Sequence, residues 1–145
     1  MEASVRFAVP SQPRFLQMIR AAVGELGAAY GFPAADCRAM VLAVDEALTN
    51  VIRHAYGGDP EGIMELRCSA VAGRLEFEVL DEGMPPDTAR LSAPVEPGAL
   101  GGRGTHIIRA VMDEVLYERA PRGNRLRLSK RLPATAAAVS DGGPE

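Results

Sequence analysis

Three groups of residues have types and spacings that could do chemistry. Glu46, Asn50 and His54 stand at i, i+4 and i+8, so on an α-helix they fall within an arc of about 80° and form one polar row. An amide oxygen at Asn50 suits a hard cation such as Mg2+, and a carboxylate one turn away at Glu46 suits proton acceptance. Taken alone, such a row also describes an ordinary solvated helix face. Asp81 continues the alternating series Leu75, Phe77, Val79 and is expected to point with them to the inner side of a sheet, where a carboxylate needs a partner. Gly83 follows two residues later and would let a flat ring approach the backbone closely; adenine carries an exocyclic amine that a carboxylate can accept. The competing reading ends the strand at Leu80 and lets Asp81 open a turn.

The third group is Gly101-Gly102-Arg103-Gly104 with Thr105, directly before a helical pattern. Free backbone N–H groups and the helix dipole make such a start an anion site, with phosphate the natural ligand. The run is not a P-loop, because no GxxxxGK[ST] occurs, and not a dinucleotide fingerprint, because Ile107 stands at the third glycine's position. A flexible linker has the same composition. No nucleophile triad or zinc spacing is present: His54 and His106 are the only histidines, and neither belongs to an HExxH.

These residues need elements to hold them. Val5, Phe7 and Val9 alternate up to Pro10, which reads as a strand. Phe15, Leu16, Ile19, Ala22, Val23 and Leu26 recur at helical spacing up to a stop at Gly31, and a second helix runs from near Pro33 to about Tyr56 with a stripe from Met40 to Ala55. Met64 to Ala70 and Leu75 to Val79 form a hairpin with one wet face, turned by Ala72-Gly73. Residues 83 to 104, rich in Pro and Gly, read as a functional lid. Thr105 to Met112 is helical, and Val115 to Arg119 and Arg125 to Arg131 form a last hairpin across Pro121-Arg122-Gly123. The order implies an α/β (α+β) two-layer sandwich: a mixed, mostly antiparallel sheet with helices on one face.

Composition narrows the function. The chain has 145 residues, 47% hydrophobic and 24% charged, which suits one globular domain. The domain is expected over residues 1–132, with a disordered tail over 133–145. A formal charge of -3 with no basic cluster argues against nucleic-acid binding. No apolar run approaches the roughly 20 residues of a membrane span, and the N-terminus lacks a signal pattern, so a cytoplasmic location is expected. Cys37 and Cys68 are far apart without CxxC spacing and read as buried free thiols.

Taken in order, the motifs resemble the GHKL (Bergerat-fold) ATPase superfamily, and within it the bacterial anti-sigma-factor serine/threonine kinases. Asp45 through Tyr56, with Glu46, Asn50 and the ending His54-Ala55-Tyr56, is similar to the family's N-box. Asp81-Glu82-Gly83 resembles the first glycine box, and Gly102-Arg103-Gly104 with Ile107, Ile108, Met112-Asp113 and Val115 resembles the second. The resemblance covers about residues 4 to 132 and implies ATP lying between the N-box helix, the sheet and a lid over 84 to 101. It implies Glu46 as general base and Asn50 as the Mg2+ ligand. Asp81 would bind the adenine amine, and Gly83, His54, Gly101, Gly102, Arg103, Gly104 and Thr105 would line the rest of the nucleotide site. Two departures stand out: Met84-Pro85-Pro86 where the wider superfamily has a second glycine, and Asn124 where a threonine often follows Gly123.

The reaction so implied is transfer of the γ-phosphoryl group of ATP to a serine or threonine of a partner, an anti-sigma-factor antagonist, by a kinase that also sequesters a sigma factor. The resemblance further implies a homodimer, with exposed apolar residues of the first strand and first helix as contact candidates. Two alternatives stay open: a regulatory kinase that grips no sigma factor, and a nucleotide-dependent protein-binding module without transferase activity.

Overall fold

The computed structural model describes residues 4–85 and 103–134. Strand β1 (Ser4–Pro10) leads through a short 3-10 turn into α1 (Leu16–Ala29), and α2 (Ala34–Asn50) continues into a π-helical turn, Val51–Ala55. The hairpin β2 (Ile63–Val71) and β3 (Arg74–Asp81) follows, then α3 (Arg103–Val111) and the hairpin β4 (Glu114–Ala120) and β5 (Gly123–Arg131). The elements match the order read from the sequence. Pro10 is the last residue of the edge strand and pairs with Ile63, a position where a missing N–H is tolerated.

The five strands lie in the order β1-β2-β3-β5-β4, and all four pairings are antiparallel, so the largely antiparallel sheet expected from the sequence has no parallel pair among the described residues. The alternation of the strands divides the sheet into two unlike faces. On one, Met64, Leu66, Cys68, Leu75, Phe77, Val79 and Leu128 are buried against Ile19 and Val23 of α1, Met40, Val44, Ala47 and Leu48 of α2, and Ile108 of α3. This is the core among the described residues, and its side chains exclude water on the scale of about 2 kcal/mol each. On the other face, charges meet across strands: Arg127 lies 3.2 Å from Glu76, Arg125 3.5 Å from Glu78, and Arg6 3.0 Å from Glu65.

The two free cysteines are buried as expected, and burial pushes the Cys68 thiol up to about 12, which removes it from thiolate chemistry at ordinary pH. Asp45 faces away from the polar row and binds Arg20 of α1 at 2.7 Å, so it ties the helices together. No helix among the described residues is long and apolar enough to cross a membrane. The pairing of β3 with β5 matters most for function. It joins strands far apart in the chain, and it sets Asp81 directly opposite Asn124.

Candidate nucleotide site

The site is built where α2 ends. Glu46 and Asn50 are one α-helical turn apart and half-buried. Beyond Asn50 the helix widens: Tyr56 N–H donates to Val51 C=O at 3.0 Å, and Gly58 N–H to Ile52 C=O at 2.8 Å. A π turn advances each residue by a smaller angle than an α turn, and such turns recur at functional sites. His54 lies in this π turn and is exposed.

The Ala55 carbonyl, at the end of the π turn, lies beyond the helix ladder. It accepts the Met84 N–H at 2.8 Å, and Gly83 packs so closely on it that a Cβ there would overlap the oxygen. Tyr56 completes the junction. Its hydroxyl accepts the Glu82 N–H at 2.8 Å and donates to the Ile63 carbonyl, while Gly62 lies flat against its ring. Burial raises the phenol above its ordinary 10.0, against the opposing hydrogen bond from Glu82. The chain after β3 is thus sewn to the end of the second helix by main-chain and phenol contacts.

Asp81 sits behind this junction and is 8% exposed. The strand runs through Asp81 rather than stopping at Leu80, so its side chain turns inward with Phe77 and Val79, as the alternation requires. Oδ1 accepts from Gly83 N–H at 2.8 Å and from Asn124 Nδ2 at 2.8 Å. Both recorded bonds fall on Oδ1, which leaves Oδ2 uncommitted among the described residues. Burial pushes the carboxyl above its ordinary value, and the hydrogen bonds from Asn124 and Gly83 and the charge of Arg119 oppose that rise. A buried carboxylate held by one oxygen is an acceptor waiting for a donor.

Asn124 has the density of contacts expected of a keystone. It is 5% exposed, accepts the Tyr117 hydroxyl at 2.6 Å on Oδ1 and donates from Nδ2 to the Met84 carbonyl at 3.0 Å as well as to Asp81. Gly123 before it approaches β3 so closely that a Cβ would overlap the Asp81 carbonyl oxygen, so a side chain there would push the two strands apart.

Comparison with known proteins places this geometry. The family model described as "Histidine kinase-like ATPase domain" matches residues 9–130. A serine-protein kinase RsbW of Bacillus subtilis (strain 168) is 30% identical over 122 residues, 77% of this chain and 75% of that protein. The chain belongs to the histidine kinase-like ATPase family, with the RsbW serine-protein kinases. The RsbW of Halalkalibacterium halodurans is likewise 30% identical, over 121 residues covering 77% of this chain and 74% of the relative. Two solved structures share the fold. The RsbU and RsbW domains of Rv1364c from Mycobacterium tuberculosis match with a TM-score of 0.65 at 20% identity over 90% of this chain, which spans 32% of that longer chain. The histidine kinase domain of Erythrobacter litoralis EL346 matches with a TM-score of 0.57 at 21% identity, over 92% of this chain and 66% of the other.

Within this RsbW-type domain, Glu46 and Asn50 lie in α2, His54 in its π turn, Asp81 at the end of β3 and Gly83 two residues beyond it. Arg103, Gly104 and Thr105 form the start of α3. Gly101, Gly102, most of the expected lid over 84 to 101 and nearly all of the expected tail lie outside the described residues. Among the described residues no group of three or more His, Cys, Asp or Glu could hold a metal. An amide oxygen such as that of Asn50 has the donor chemistry for an Mg2+ of the kind held by one protein oxygen together with phosphates and water. Sequence reasoning missed Tyr56 and Tyr117 as members of the site. Tyr56 was named only as the end of the N-box-like stretch, and for Tyr117 the signal was its place in the alternation of β4, opposite Leu126.

Proposed function

We propose that this protein is an ATP-dependent serine/threonine protein kinase. The observation that carries the proposal is Asp81: a buried carboxylate with one oxygen fixed, at the strand end that the N-box helix closes, in a chain of the RsbW family. The free oxygen suits the amine of adenine, and Gly83, without a side chain, suits a ring lying close to the backbone.

In this reading Asn50 offers its amide oxygen to Mg2+, and Mg2+, when bound, offsets the charge on the phosphates. Glu46, one turn earlier on α2, takes the proton of an acceptor serine or threonine hydroxyl as its oxygen bonds to the γ-phosphorus and the bond to the β-phosphate oxygen breaks. His54, Gly101, Gly102, Arg103, Gly104 and Thr105 complete the nucleotide's surroundings. The acceptor is an antagonist protein of the anti-sigma system, and the kinase holds a sigma factor when it is not engaged with that antagonist. A second copy of the chain is expected as partner, and the domain is expected to occupy residues 1–132.

The test is transfer of label from γ-labelled ATP and Mg2+ to antagonist proteins encoded beside this one, with Glu46→Gln as control. Label on an antagonist serine or threonine that falls about 100-fold or more in the control supports the reading, a loss within the range of general-base catalysis. ATP binding without transfer to any candidate would instead make this a nucleotide-dependent binding module, and a fully active control would remove Glu46 from the chemistry.

A further inference from the structure

The phenol of Tyr117 lies on a neighbouring strand, out of line with the helix and the glycine segments, yet it ends a chain of hydrogen bonds that reaches Asp81. Its hydroxyl donates to Asn124 Oδ1 at 2.6 Å, and Asn124 Nδ2 donates to Asp81 Oδ1 at 2.8 Å and to Met84 C=O at 3.0 Å. The amide is 5% exposed, so water cannot readily replace a missing partner. An asparagine amide has two donor protons and an acceptor oxygen. Here both protons go to the Asp81 and Met84 oxygens, with the Gly83 carbonyl at 3.4 Å a weaker third contact, and the acceptor takes the phenol.

The reverse orientation would set Asn124 Oδ1 against a carboxylate and a carbonyl, so the donor side is fixed by what it faces. Tyr117 anchors the other side. Without its hydroxyl, Oδ1 would be a buried acceptor lacking a partner, and the amide would turn toward any donor it could reach. The bond to Asp81 would then weaken. With Gly83 N–H as the one remaining recorded donor, the carboxylate would be free to swing.

We propose that Tyr117 is a positioning residue for base recognition: through Asn124 it decides which oxygen of Asp81 is left for the exocyclic amine of a purine. The proposal rests on the reading of Asp81 as the amine's acceptor. It gives the departure from threonine at position 124 a physical meaning, since a longer amide in that place needs a second anchor that its own backbone does not supply, and β4 provides it.

The experiment compares equilibrium binding of ATP with binding of purine riboside triphosphate, which lacks the amine, in wild type, Tyr117→Phe, Asn124→Ala and the double variant. Phe keeps the ring and its packing. Tyr117→Phe is expected to weaken ATP about fivefold, the scale of one neutral hydrogen bond, and to leave the amine-free nucleotide unchanged. Adding Tyr117→Phe to Asn124→Ala is expected to change ATP affinity no further. Equal losses for both nucleotides, or additive losses in the double variant, would show that Tyr117 acts only by packing and overturn the proposal. Full retention of the preference for ATP in Tyr117→Phe would overturn it too, while leaving the Asp81 reading intact. A wild type that binds the two nucleotides equally would overturn both.

Discussion

The carbonyl oxygen of Ala55 occupies the space in which a side chain at Gly83 would begin, and the same oxygen accepts the Met84 amide at 2.8 Å. This contact joins two motifs that are far apart in sequence, the end of the N-box helix and the glycine after β3. The glycine is required here by close backbone approach, whatever ligand lies beyond it.

Gly83→Ala is accordingly expected to destabilise the fold by about 1–3 kcal/mol, the range for forcing a methyl group into occupied space, because backbone rather than a flexible side chain stands in the way. A chemical denaturation curve measures it. Unchanged stability would mean that the junction yields easily and is not the clamp described.

Tyr56→Phe removes the acceptor of the Glu82 N–H and the donor to the Ile63 carbonyl, at an expected cost of about 1 kcal/mol, since both groups can reach water. The pH dependence follows from the raised phenol. The unfolded chain ionises near the ordinary 10.0 while the folded chain still holds its proton, so the stability of wild type is intact below pH 9 and falls as pH rises through 10 and beyond. The gap between wild type and Tyr56→Phe should therefore narrow above pH 10, as read by urea unfolding at pH 8 and 10.5.

Asp81 works in the opposite sense from a salt-bridged carboxylate. Burial raises its folded value above the ordinary 3.8, so the unfolded chain ionises first and the stability of wild type declines as pH climbs from about 4 through the raised value. Asp81→Asn has no such slope and can still accept from Gly83 and Asn124 on Oδ1. Nucleotide-free Asp81→Asn should match wild type near pH 4 and be the more stable at pH 7, measured by denaturation at both. A variant less stable than wild type at pH 7 would mean that the charge is satisfied by its own protein.

Much of this was readable from residue order. The alternation Leu75, Phe77, Val79, Asp81 placed the carboxylate on the buried face, and the structure extends β3 through Asp81 as that alternation requires. What the alternation could not say is who meets the carboxylate, because Asn124 arrives from a strand paired across 43 residues of chain. Local periodicity carries no information about such a pairing. The π turn was hidden for a related reason. Val51 and Ile52 continue an apolar stripe that α and π geometry serve alike, so the periodicity gave no sign of the widening.

The measurement that tests the account most directly is titration of ATP with Mg2+ into the nucleotide-free protein and into Asp81→Asn, each shown to be folded at the same temperature. With Oδ1 still held by Gly83 and Asn124, the new amide presents N–H groups where the amine of adenine also brings N–H groups. Wild type should bind, and the variant should bind about 100-fold more weakly, because an acceptor has become a donor in a buried place. Equal affinity in the two proteins would contradict the assignment of Asp81, and with it the site from which the function was argued.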